Sequence, residues 1–305
     1  MSETLPKIEV SAGTDVLRRA AERVEPVDST EGLVVEHRPF ASIVVPYYNP
    51  GDRLRPTVEH LVRVLKASKV SFEIIAVSDG STDGSQFTLD EFPESVVRRV
   101  SYATNIGKGH ALRTGLALAR GRYLGFIDSD GDISPEFLGS FVSIMRAEEP
   151  DIIIGSKRHP DSSVHWTPLR RLYSWGHQFL IHHLFGLDVK DTQVGIKLMD
   201  RRVVADMLPL LQESRFALDL ELLVLARHLG YTRILEVPVR IEERSGSTVS
   251  LKRAWRLLTD TLGLFVRLSV RHEYDDAITS ISGGAAIEGP VGNTRPVAAP
   301  NPMPA

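Results

Sequence analysis

Cysteine is missing from all 305 residues, which excludes disulfides, thiolate nucleophiles and cysteine-ligated zinc together. No apolar run approaches the roughly 18 residues that a bilayer-spanning helix needs. Met1 to Glu31 mixes acids, Ser and Pro without an apolar signal core, so secretion is not expected and the cytoplasm is the expected compartment. Strong charge of one sign is also absent. A net charge of −3 gives no global attraction for nucleic acid, and no nucleic-acid partner is expected. What is present is ordinary for a globular chain, with 42% hydrophobic and 25% charged residues.

Residues 1–38 read as a flexible N-terminal arm, 39–248 as one α/β domain, 249–275 as an amphipathic helix and 276–305 as a disordered tail rich in Gly, Ala, Pro and Asn. Within the domain, apolar strands alternate with helical spacing. Ser42 to Pro46 predicts a strand, and Leu54, Val58, Leu61 and Leu65 predict a helix. Phe72 to Val77 predicts a second strand. A helix from about Gln86, a strand near Arg99 to Ala103, a helix from Lys108 to Arg120 and a strand ending at Asp128 follow. Ser134 as cap, Pro135 and Glu136 mark another helix start. Strands then fall at Asp151 to Gly155 and Ile234 to Ile241. Such alternation predicts a Rossmann-like, mostly parallel sheet flanked by helices, whose ligands bind beyond the carboxyl ends of the strands.

Polar groups cluster at those ends. Asp128-Ser129-Asp130 closes the apolar run Tyr123 to Ile127, with Asp132 just beyond. Carboxylates crowded at a buried strand end raise one another's pKa, and a divalent cation such as Mg²⁺ or Mn²⁺ removes the conflict while leaving sites for a diphosphate. The competing reading is a polar turn. Asp79 reads either as a turn residue or as an acceptor for a base or ribose. The glycines of Asn105-Ile106-Gly107-Lys108-Gly109 either cap a helix or let backbone approach a nucleotide. Asp219 and Glu221 open a helix, where acids are favoured in any case.

The order of Val45-Pro46-Tyr47-Tyr48-Asn49, Val77-Ser78-Asp79-Gly80, Asn105 to Gly109 and Asp128-Ser129-Asp130-Gly131 resembles the inverting GT-A glycosyltransferases of sequence family 2. Gly155-Ser156-Lys157-Arg158, Asp191-Thr192-Gln193-Val194-Gly195-Ile196-Lys197 and Phe216 to Leu223 are similar to the dolichyl-phosphate glucosyltransferase and mannose synthase branch. The Asp-Thr-Gln form is nearer the glucosyl enzymes. The resemblance spans roughly residues 40 to 270. It implies a GT-A fold and a nucleotide-sugar donor bound through Pro46, Tyr48, Asn49, Asp79, Lys108 and Ser129. It also implies a metal on Asp128 and Asp130, with Asp132 as a third ligand. Mannosyl relatives often carry Gln in the loop where this chain has Asp132 and Ile133.

The implied acceptor is a polyprenyl or dolichyl phosphate. A phosphate monoester is largely dianionic near neutral pH and is already a nucleophile, so the site needs positive charge more than a strong base. Lys157, Arg158, Lys197 and Arg244 are the candidates, with Asp191 and Gln193 orienting groups. Trp166 to Leu187 and Lys252 to Arg271 mix aromatic, apolar and basic residues, which suits peripheral contact with the cytoplasmic face of a membrane as well as it suits packing on the sheet. The expected reaction moves glucose from UDP-glucose to the lipid phosphate. The rivals are GDP-mannose as donor, a small anionic acceptor in solution, and a catalytically silent sugar-nucleotide-binding protein.

Overall fold

The computed structural model describes residues 38–158, 162, 168–215, 217–240, 251–275 and 278–279; the expected N-terminal arm and most of the expected tail lie outside them. Seven strands form one sheet: β1 (Ala41–Tyr47), β2 (Phe72–Asp79), β3 (Val97–Tyr102), β4 (Tyr123–Ile127), β5 (Ile152–Ser156), β6 (Ile196–Asp200) and β7 (Ile234–Pro238). Their spatial order is β3-β2-β1-β4-β6-β5-β7. The helices are α1 (Leu54–Ala67), α2 (Lys108–Leu118), α3 (Glu136–Glu148), α4 (Pro168–Phe185), α5 (Arg201–Met207), α6 (Leu218–His228) and α7 (Leu251–Phe265).

All seven residues of β1 are buried, as a strand covered on both faces requires. Its side chains divide by the two-residue period of a strand. Ile43 and Val45 join one core with Leu54, Val58, Leu61 and Leu65 of α1 and Phe141 of α3. Val44 joins the other core, with Leu112 and Leu116 of α2 and Leu222 of α6. The outer strand β3 carries Arg98 and Arg99 instead, charges that discourage pairing at a free edge.

Two expectations change. The segment from Gln86 forms only a short 3-10 turn, Ser85–Leu89. No side-chain cap bond forms at the start of α3, because Pro135 is already helical and the turn begins on the Ser134 and Pro135 carbonyls. Two features place the site. The chain runs outward from β1 to β3 and then returns to β4 on β1's other side, which makes a topological switch point between β1 and β4. The strand β6 lies antiparallel between β4 and β5, with Ile196 opposite Ile127. Its entry loop, 191–195, therefore arrives where β4 ends. Among the described residues no helix is long and apolar enough to cross a membrane.

Candidate active site

Parallel β1, β2 and β4 deliver their carboxyl-end loops to one edge. After β1, Tyr48 is 53% exposed and Asn49 turns left-handed at φ 46°. Asn49 then accepts a hydrogen bond from the Thr82 N–H at 2.8 Å, while its own N–H donates to Ser81 Oγ at 3.1 Å. Those bonds tie the loop after β1 to the loop after β2. Pro46 stays buried within β1, opposite Val77.

Asp79 is 3% exposed, and its carboxylate accepts from Tyr102 Oη at 2.8 Å, Asn105 Nδ2 at 2.9 Å, Ile106 N at 2.9 Å and Gly107 N at 2.9 Å. Those donors take up most of the four or so lone-pair positions of a carboxylate. In this arrangement Asp79 shapes the 105–107 loop. The glycines there have a role that neither expectation named. A Cβ on Gly109 would meet Glu213 O at 2.7 Å, and one on Gly107, where φ is 130°, would overlap Ser214 O. Both keep room for the backbone of 213–215.

Lys108, at the start of α2, places Nζ 2.7 Å from Asp128 Oδ1 and 3.4 Å from Asp219 Oδ2. The other oxygen of Asp219 lies 2.5 Å from Lys197 Nζ. Carboxylates and ammoniums thus alternate from Asp128 to Lys108, Asp219 and Lys197. Burial works against the Lys108 cation, but Asp128 and Asp219 outweigh it and its pKa rises. Burial likewise opposes ionised Asp219, yet Lys108 and Lys197 hold its pKa down. For Asp128 burial prevails over Lys108, with Asp219 and Asp130 adding, and the pKa rises.

Lys197 is not at the open rim where the acceptor phosphate is expected. It is fully buried, and its ammonium donates to Thr192 O at 3.2 Å, Val194 O at 2.8 Å and Asp219. All three of its protons have partners. Burial lowers its pKa against the pull of Asp219. The loop it fastens returns to Asp128, whose N–H donates to Gly195 O at 2.9 Å. A Cβ on Gly195 would overlap the Asp128 carboxylate.

Asp191 accepts from the Lys157 N–H at 3.0 Å, and the Arg158 guanidinium donates to Lys190 O at 3.3 Å. Burial lowers the Arg158 pKa, with Asp191 and Glu236 opposing. The Gln193 amide nitrogen is buried without a hydrogen-bond partner among the described residues. Arg244 lies outside the described residues. The Ser129 carbonyl accepts from Thr57 Oγ1 at 3.5 Å.

The expected trio of metal ligands is not gathered. Among the described residues no three acidic or imidazole groups converge as a cation cage, because Asp128 turns to Lys108 and Asp130 accepts from the Asp132 N–H at 3.0 Å. The charge of the site nevertheless fits a divalent cation. Asp130 is exposed. Burial and then the negative charge of Asp130 raise the Asp132 pKa, and the carboxylates Asp128, Asp130, Asp132 and Asp219 outnumber the paired ammoniums Lys108 and Lys197. A hard cation favours such carboxylate oxygens.

The sequence leaves the roles of Asp219 and Glu221 open, and the structure gives each a partner set. Glu221 is fully buried and accepts from Gln212 N at 3.1 Å, Glu213 N at 2.9 Å and Tyr274 Oη at 2.8 Å. The usable signal was their company. Every described residue of α6 from Leu218 to Ala226 is buried, and acids in a helix buried all round need partners.

The sequence profile of glycosyl transferase family 2 matches residues 42–208. A dolichyl-phosphate beta-glucosyltransferase of Dictyostelium discoideum is 31% identical over 68% of this chain and 68% of its own. The Saccharomyces cerevisiae protein of the same name is 30% identical over 70% of each chain. Among solved structures, glucosyl-3-phosphoglycerate synthase of Mycobacterium tuberculosis, in complex with Mn²⁺, UDP-glucose and phosphoglyceric acid, aligns with a TM-score of 0.57. That alignment has 19% identity and covers 75% of this chain and 80% of that one. With its mostly parallel GT-A sheet and its acidic motif at the end of β4, the chain belongs to glycosyl transferase family 2.

Proposed function

We propose that this glycosyltransferase moves glucose from UDP-glucose to a polyprenyl or dolichyl phosphate, with inversion at the anomeric carbon. One observation carries the reading: the 191–195 loop meets the end of β4, so Asp128 touches Gly195 while Asp191 stands beside Lys157. The names of the two relatives support the acceptor, and the complex of the fold neighbour supports the donor and a metal.

Asp128 and Asp130 would hold Mg²⁺ or Mn²⁺, which would neutralise the diphosphate of the leaving nucleotide. Tyr48, Asn49 and Ser129 line the donor side, with Pro46 and Asp79 holding their loops from within. Lys157 and Arg158, with Arg244, supply positive charge for an acceptor that needs no strong base, because its dianion is already nucleophilic. Asp191 and Gln193 orient sugar hydroxyls, and the Gln193 amide, unpartnered among the described residues, can donate. Lys197 holds the loop that carries them.

Contact with a membrane, placed on its cytoplasmic face, belongs to the same proposal. Trp175 and Phe179 of α4 and Trp255 and Leu262 of α7 are exposed. Leu264 and Leu268 on another side of that C-terminal segment are buried. Packing on the core therefore leaves an apolar face over, which suits an interfacial helix. A contact between His177 and Thr261 at 3.1 Å joins the two helices.

The test offers labelled UDP-glucose, GDP-mannose and UDP-N-acetylglucosamine, each with polyprenyl phosphate and Mn²⁺. Label extracted into organic solvent from UDP-glucose alone is the expected result, abolished by EDTA. Label from GDP-mannose instead would replace the donor. A second reading, a small anionic acceptor, draws on the phosphoglyceric acid bound by the fold neighbour. Aqueous product formed with 3-phosphoglycerate, and no organic-soluble label, would establish it.

A further inference from the structure

We propose that Asp219 is a positioning residue for the divalent cation: it offers Lys108 a second carboxylate, so that Asp128 can exchange an ammonium partner for the metal. The proposal rests on the metal reading above. Asp128 cannot serve a cation well while Lys108 Nζ sits 2.7 Å from its Oδ1, because two positive charges would then share one oxygen. Lys108 has little access to water. Its side chain is 16% exposed, and its ammonium lies 5.7 Å from the centre of the Phe126 ring. Among the described residues the other carboxylate within its reach is Asp219, at 3.4 Å.

Asp219 is itself fixed. It is 3% exposed, and its second oxygen is held by Lys197 at 2.5 Å. Through Lys197 it also fastens the Thr192 and Val194 carbonyls, and the next residue, Gly195, receives the Asp128 N–H. The contacts close a circuit from Asp128 through Lys108, Asp219, Lys197 and the 192–195 loop back to Asp128. One carboxylate thus governs where Lys108 rests and how the loop behind Asp128 is seated. Without its charge, Lys108 remains on Asp128 and competes with the incoming cation.

Metal affinity and fold integrity separate in a titration of the full chain, stripped with EDTA and dialysed, using Mn²⁺ alone with free Mn²⁺ read by electron paramagnetic resonance. Asp219→Asn is expected to weaken Mn²⁺ binding at least tenfold. The double variant Asp219→Asn/Lys197→Met is expected to weaken it similarly. It removes the lysine that would be stranded in the core, and it leaves net charge unchanged. Lys108→Met is expected to tighten binding, since the competitor is gone. A merely structural role would move both lysine and aspartate variants in the same direction. The proposal is overturned if the folded double variant binds Mn²⁺ within twofold of wild type, or if Lys108→Met weakens binding as Asp219→Asn does. No Mn²⁺ binding by the wild type, or undiminished binding by Asp128→Asn, would overturn the metal reading and this proposal with it.

Discussion

Adding one methyl group at Gly195 tests whether the contact between the 191–195 loop and the end of β4 sets the reactive geometry. The Cβ of Gly195→Ala would stand 2.9 Å from Asp128 Oδ1 and overlap its Cγ and Oδ2. Relief requires the carboxylate to retreat by about 1.5 Å to reach ordinary van der Waals separation. The Lys108 contact, 2.7 Å in the native chain, then lengthens to about 4 Å and ceases to be a hydrogen bond. The φ of Gly195 lies outside the left-handed range, so alanine adds no backbone strain and the damage is confined to this contact. A displacement on the order of 1 Å in a reacting constellation costs about a hundredfold in rate, equivalent to ~2.7 kcal/mol of activation free energy. The assay is transfer of labelled glucose to polyprenyl phosphate, with kcat and the donor KM measured separately and urea unfolding run alongside. Gly263→Ala in α7 is the control. Nothing lies within 4 Å of its Cβ, and alanine in a helix interior gains about 0.5–1 kcal/mol over glycine. If Gly195→Ala keeps kcat within threefold of wild type, Asp128 does not act from the position described.

Lys197→Met should cost about 3 kcal/mol in urea unfolding, because it strips a buried ion pair of one partner. Pairing it with Asp219→Leu should recover more than half of that loss, even though transfer activity stays low. His177, between α4 and α7, carries a pH dependence of definite sign. Burial, then the charge of Arg158, lowers its pKa from 6.5 to about 4. The unfolded chain therefore takes up the proton first, so this stability is fully present above pH 6.5 and is lost as pH falls through 4, by at most about 3 kcal/mol. Urea midpoints between about pH 7 and 4 should fall less steeply in His177→Gln than in wild type. Replacing both Trp175 and Trp255 by Ser should reduce cosedimentation with anionic vesicles about tenfold, with the urea midpoint nearly unchanged; unaltered binding would remove the exposed face from the membrane proposal.

Asp128 and Asp130 stood out as candidates because strand ends and turn chemistry are local, whereas Asp191 and Gln193 stood out only through the resemblance of the motif Asp191 to Lys197. Periodicity over about five to eight residues marked β1, β2 and β4, and in a parallel sheet a polar group after each such run must share an edge with the others. The strand β6 was not legible. Ile196 to Asp200 is short, and its antiparallel insertion between β4 and β5 depends on partners far away in the chain. That insertion is what carries the 191–195 loop to Asp128.

The alternation of strands and helices, the edge on which acids gather and the family to which the motifs belong can all be read along the chain. All of these follow from residues close together in the chain, or from motifs in a recognisable order. Which charges meet depends on how the elements pack. Lys108 reaches Asp219 across 111 positions, Lys197 faces inward, and Asp79 spends its oxygens on the distant 105–107 loop. A buried charge must find an opposite partner wherever the packed elements place one, and that choice is made in space after the chain has folded.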